Sequence, residues 1–292
     1  MTELVKALLS GLGGTIGWGS ADFLSASAMK KQKLDVVAAC FWLHAFGAVF
    51  LLLFLPTLKF GLKTKVDYPF IDELVILQLL LFALMNVITY LCFFKALSIG
   101  YLSVISSVFS TYAAGAVIVS VVFFGETIPF MRLIALFVII FGIILISVEN
   151  PAKFKNAKGV AWVIPAVILF SIFFPYWDSL ASKGGAAILV LIIDILIALI
   201  FFIYAKLKKI RLVFPSKVLG IMFLASIFNS IAGLSVAWGY QSTTLTSIVS
   251  VISSAVPLTS VTLGYLFLKE RLRPTQYLGL FGLIIGGVLL FM

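Results

Sequence analysis

Charge is scarce in this chain. Asp, Glu, Lys and Arg make up 11% of its 292 residues, where a soluble domain averages about 25%. That scarcity excludes an ordinary water-soluble globule. Histidine occurs once, as His44, and cysteine twice, as Cys40 and Cys92. One histidine cannot build a His-rich metal site, and no His-Glu-x-x-His occurs. Both cysteines fall inside apolar runs, so they read as small buried hydrophobes rather than as a disulfide or a metal pair. Long polar segments are also lacking, and no connection could hold a soluble domain. With no catalytic constellation, no metal site and no cofactor signature, the chain is not expected to be an enzyme.

What is abundant is apolar sequence: 63% of the residues are hydrophobic and the mean hydropathy is +1.22. About 20 apolar residues suffice for a helix to cross a bilayer. Ten runs meet that length, near 5–28, 36–57, 73–97, 101–124, 130–148, 159–181, 185–206, 217–240, 245–268 and 275–292. Alternating ten-residue patterns are missing, which argues against a barrel. The expected fold is therefore an all-α polytopic membrane protein. The first run has the outline of a signal peptide, but its length, its glycines and Trp18 and Asp22 favour a retained helix. Gly13 and Gly17, like Gly282 and Gly286, have the spacing of close helix contacts.

The net charge of +10 invites a nucleic-acid reading. The basic residues sit in short loops between apolar runs, however, which is the positive-inside pattern of a membrane protein and argues against nucleic acid as a partner. Loops after the odd-numbered runs hold fourteen Lys and Arg against six on the other side. The odd loops are thus expected in the cytoplasm and both termini outside, in an inner or plasma membrane.

The chain repeats itself. A shift of 144 positions carries Ser103, Ser106, Ser110 and Glu126 onto Ser247, Ser250, Ser254 and Glu270. Five helices per half is an odd number, so the halves must have opposite orientation in the membrane. The expected organisation is two inverted five-helix repeats, 1–150 and 151–292, an arrangement transporters use to alternate around a midplane site. The serines recur at i, i+3 and i+7, which puts three hydroxyls on one helix face. They suit a polar cavity, and they equally suit close helix packing.

Ionisable groups at membrane depth are functional candidates by default. Asp194 lies mid-run in the seventh helix and His44 mid-run in the second. Asp22 and Asp178 lie nearer helix ends. All four are proton-coupling candidates. Asn86 and Asn229 occupy nearly equivalent depths in the third and eighth helices and can bind polar cargo or tie helices together. Trp18, Tyr90, Trp177 and Trp238 add aromatic surface for a partly apolar solute. Glu126 and Glu270 belong to opposite faces and are expected at helix ends or in loops.

These residues bring the chain close to a known family. It resembles the EamA-type ten-helix transporters of the drug/metabolite transporter superfamily over nearly its whole length. The likeness rests on Trp18-Gly19-Ser20-Ala21-Asp22-Phe23, Lys95-Ala96-Leu97-Ser98-Ile99-Gly100, Gly125-Glu126, Lys269-Glu270, Pro257 and the glycine-containing fifth and tenth helices. The resemblance implies a secondary transporter of small metabolites such as amino acids, usually outward, with a cavity lined by helices 1, 3, 4, 6, 8 and 9. That set would take in Trp18, Asn86, Tyr90, Ser103, Ser106, Ser110, Trp177, Asn229, Trp238, Ser247, Ser250 and Ser254. Two departures stand out: Ala113 occupies the place of Pro257 in the first half, and Asp194 lies outside the implied lining helices. A lipid-linked flippase of the same fold is the alternative. The expected partners are a small-molecule substrate and the bilayer. The built-in repeat is compatible with a monomer and leaves a dimer open.

Overall fold

The computed structural model describes residues 2–31, 33–57, 71–100, 102–147, 159–181, 185–268 and 274–290. Twelve helical segments appear among them: α1 (Glu3–Lys31), α2 (Val36–Pro56), α3 (Glu73–Ile99), α4 (Leu102–Ser110), α5 (Tyr112–Phe124), α6 (Phe130–Ser147), α7 (Val160–Ala181), α8 (Ala186–Leu207), α9 (Ser216–Ser242), α10 (Thr246–Ser253), α11 (Val256–Leu268) and α12 (Pro274–Leu289). They form ten spans, because α4–α5 and α10–α11 are each one span broken in the middle. The chain is a multi-pass integral membrane protein built from two inverted five-helix repeats.

Local chemistry sets the helix ends. Asp35 caps α2, accepting from the amides of Val37 and Ala38 at 2.8 and 3.4 Å, and Asp72 caps α3 through the Val75 amide at 2.7 Å. Each carboxylate satisfies donors that the first turn leaves free. Gly125 ends α5 in the left-handed region at φ 68°, a conformation open to glycine because it has no Cβ.

The apolar runs 101–124 and 245–268 each form two helical segments. The breaks fall at Thr111 and at Ser254–Ala255, equivalent positions in the repeat. Pro257 accounts for only one of them. Hydroxyls turned back onto the preceding turn accompany both. Ser110 donates to the Ser106 carbonyl at 2.8 Å and Thr111 to Val108 at 2.6 Å; Ser253 donates to Ser250 at 2.9 Å and Ser254 to Val251 at 2.7 Å. Such bonds compete with the helical ladder and bend it. The first half therefore breaks its helix without the proline.

The packing follows the repeat. α1 lies along α9, and their counterparts α7 and α3 lie along each other; α2 pairs with its own counterpart α8, and α6 with α12. The pseudo-twofold relation thus maps the α2–α8 and α6–α12 contacts onto themselves. Glycines allow the closest approaches. A Cβ at Gly17 would meet Ala232 and the Phe228 carbonyl, one at Gly14 would meet Ser253, and one at Gly286 would meet Ile139. The contacts expected of Gly13–Gly17 and Gly282–Gly286 are therefore present, and α1 is wedged between α9 and the broken α10–α11 span. Outward faces carry Leu53, Leu77, Val122, Phe123, Phe137, Phe141, Phe281 and Ile284, all well exposed, as lipid-facing surface requires.

Candidate functional site

At mid-depth the second and seventh spans meet through side chains of opposite character. His44 Nδ1 and Asp194 Oδ1 are 2.7 Å apart and both residues are buried. The Ser230 hydroxyl of α9 donates weakly to Asp194 Oδ2 at 3.4 Å. Tyr90 of α3 sets its ring edge-to-face against the imidazole, with centroids 4.5 Å apart. Its hydroxyl donates to Asn229 Oδ1 at 3.3 Å. Two residues 150 positions apart, read separately from sequence, are thus one hydrogen-bonded unit.

This unit forms part of the wall of a small cavity of about 60 Å³, shared with Trp18, Asn86, Trp177 and Asn229. A second cavity, of about 30 Å³, adjoins it and is lined by Trp18, Asp22, Tyr90, Phe109, Tyr112 and Asn229. Asp22 is buried there. Trp18, Asn86, Trp177 and Asn229 of spans 1, 3, 6 and 8 line these cavities, spans 4 and 9 add Phe109, Tyr112 and Val256, and spans 2 and 7 join through His44 and Asp194. Asp194 therefore sits at the cavity and not outside it. Spaces of this size hold only a few waters, far short of the 300–1,000 Å³ of a typical ligand pocket.

The phenylalanines that back Trp18 and Trp177 in the aromatic wall were the part that sequence reasoning missed. Phe82 stacks on Trp177 and on Phe173, at 4.8 and 4.3 Å between centroids. Phe93 stacks on Phe109 at 4.3 Å, Tyr112 on Phe174 at 4.8 Å, and Trp18 meets Phe174 edge-on at 5.7 Å. The spacing of Phe170, Phe174 and Trp177 along α7 was the available signal.

The serine stripe is placed differently. Neither small cavity has its serines in the wall. Ser106, Ser110, Ser250 and Ser254 are buried; Ser110 and Ser254 bond to their own helices, and Ser250 lies 3.1 Å from the Tyr240 hydroxyl. The side chain of Ser103, like the whole of Glu270, lies outside the described residues. Trp238 is 41% exposed on α9, facing away from both cavities.

A wider vestibule of about 570 Å³ opens at the end of the molecule that holds the start of α1, lined by Glu3, Glu126, Asp178 and Thr246 among others. Thr246 donates to Asp178 Oδ2 at 2.8 Å. The Glu126 carboxylate accepts from the Ser247 amide at 3.2 Å and from its hydroxyl, and so caps the start of α10 across the boundary between halves. Burial pushes the Glu126 carboxyl above its ordinary range, and the Ser247 donors pull it part of the way back.

The chain was compared with known proteins and structures. No curated protein sequence matches it. A solved structure described only as a crystal structure of a protein superposes with a TM-score of 0.76 at 12% identity, covering 98% of this chain and 96% of the other; at that identity it supports the fold alone. The profile of the EamA-like transporter family matches the chain twice, over residues 5–148 and 157–292. Those two matches take in nearly every residue, and the chain belongs to the EamA-like transporter family.

Proposed function

We propose that this protein is a secondary transporter of the inner or plasma membrane that exports small metabolites such as amino acids by alternating access. The observation that carries the reading is the contrast between the narrow cavities at mid-depth, about 60 and 30 Å³, and the vestibule of about 570 Å³ at one end. A site narrow at the midplane with a wide vestibule at one face fits one state of a two-state cycle, and rocking the inverted halves supplies the other. The neutral amides of Asn86 and Asn229 suit the polar groups of a zwitterion, and the Trp18–Phe82–Trp177 wall suits its apolar part. With both termini outside, the vestibule faces outward. Both halves of the cycle lie in one chain, so a monomer suffices.

The test is solute flux in proteoliposomes loaded with amino acids, sugars, nucleosides and cationic drugs, with release followed by mass spectrometry. Selective release of a few compounds, lost when Trp177 is replaced by Ala and kept when Trp238 is, is the expected result. No release from folded protein overturns the reading and favours a lipid-linked flippase.

A further inference from the structure

The His44–Asp194 unit has features that cargo binding does not require. Among the described residues it is the one ion pair, and it joins α2 to α8, the counterpart helices on the pseudo-twofold relation. Any rocking of the halves passes through this contact. Room for it is built in: a Cβ at Gly47 would lie 2.8 Å from both Asp194 Oδ2 and Ser230 Oγ. The other ring nitrogen, His44 Nε2, is buried without a hydrogen-bond partner, on a residue that lines the 60 Å³ cavity.

The charge of the unit depends on one proton. With Nδ1–H donating to an ionised Asp194, the neutral imidazole leaves the site at net −1, an expensive state at membrane depth. One further proton on Nε2 gives an imidazolium against a carboxylate, hydrogen-bonded and net neutral. The groups facing the imidazole do not supply that charge otherwise. α8 brings Asp194 itself, α9 brings the uncharged Ser230 and Asn229, α3 brings the Tyr90 phenol, and α2 carries Cys40 one turn away. α1 brings Asp22 to the adjoining cavity, a further carboxyl and no cation.

We infer that His44 and Asp194 form a one-proton carrier of the transport cycle. The state with the narrow cavity holds the proton, and Nε2 passes it to water when the cavity widens. The inference rests on the transporter reading and adds its coupling ion.

Because His44 is the only histidine, protein labelled with ¹⁵N-histidine and held in lipid nanodiscs reports this imidazole alone. The expected result on titration from about pH 5 to 9 is a single protonation step in which Nδ1 keeps its proton throughout and Nε2 gains one. An imidazole that does not titrate, or a neutral form protonated on Nε2, overturns the inference. The second arm uses proteoliposomes with an entrapped pH dye and the solute released in the flux panel. One proton moved per solute is expected for the wild type, and a ratio falling toward zero for Asp194→Asn and His44→Gln at whatever rate they retain. Solute release by the wild type without any lumenal pH change overturns the carrier and leaves the transporter standing. Absence of all release overturns the transporter, and the carrier with it. Should the variants fail to fold, the wild-type titration and ratio still decide.

Discussion

Replacing one glycine of α1 by alanine tests the packing that positions the site. A Cβ at Gly17 would lie 2.6 Å from both the Ala232 Cβ and the Phe228 carbonyl oxygen, and 3.1 Å from the Ala232 Cα. These are backbone and near-backbone atoms of α9, which cannot swing aside as a flexible side chain would. Carbon contacts favour about 3.5–4.0 Å, so the helices must part by about 1 Å. That forfeits a quarter to a half of the neighbouring contact energy and stretches the bond from the Ser235 hydroxyl to the Ser10 carbonyl, now 3.1 Å. Overpacking of this kind costs about 1–3 kcal/mol. Against it stands the better helix propensity of alanine, about 0.8–1.0 kcal/mol. Because the atoms met are backbone or next to it, the overpacking cost falls in the upper half of that range, about 2–3 kcal/mol, and the expected net loss for Gly17→Ala is about 1–2 kcal/mol. Gly220 of α9 has nothing within 4 Å of its built Cβ, so Gly220→Ala should stabilise by up to about 1 kcal/mol. The two variants should differ by about 1–3 kcal/mol in unfolding from mixed micelles, followed by tryptophan fluorescence. A Gly17→Ala protein as stable as the wild type would refute the close α1–α9 contact.

Other outcomes follow from the same geometry. Gly47→Ala should push a methyl group into Asp194 Oδ2 and Ser230 Oγ, changing the ¹⁵N spectrum of His44 while circular dichroism shows the helices intact; an unchanged spectrum would count against the pair. Glu126 supplies a pH dependence. Its folded-state pKa is raised, chiefly by burial, so its contribution to stability is full below the ordinary glutamate value of about 4.3 and is lost as pH rises through the folded value. Thermal melts of the wild type should therefore lose ground to Glu126→Gln across that window, and parallel pH curves would remove Glu126 as the source. Trp238→Ala, on an exposed face, should shift stability by no more than about 0.5 kcal/mol in the same micelle assay. Phe82→Ala, at a fully buried ring stacked on Phe173 and Trp177, should cost about 3–5 kcal/mol.

The sequence by itself determined the number of spans, the repeat and the inversion. These depend on local quantities. A run of apolar residues must cross because its backbone needs internal partners in lipid, and five crossings per half reverse the second half whatever the helices touch. The glycine spacings of α1 and α12 were legible for a similar reason, since a missing side chain marks a close approach before its partner is known. The tertiary structure decided which polar groups meet. His44 and Asp194 are 150 residues apart, and nothing in either run names the other. The serine stripe shows the converse. Its spacing is real, but a hydroxyl on a helix can be satisfied by its own preceding turn, as Ser110 is by Ser106, so periodicity alone does not tell a cavity lining from a helix break. The break in the first half, made without a proline, and the bond from Ser247 to Glu126 across the halves were settled the same way, by the competition of each polar group for the nearest partner the folded chain offers.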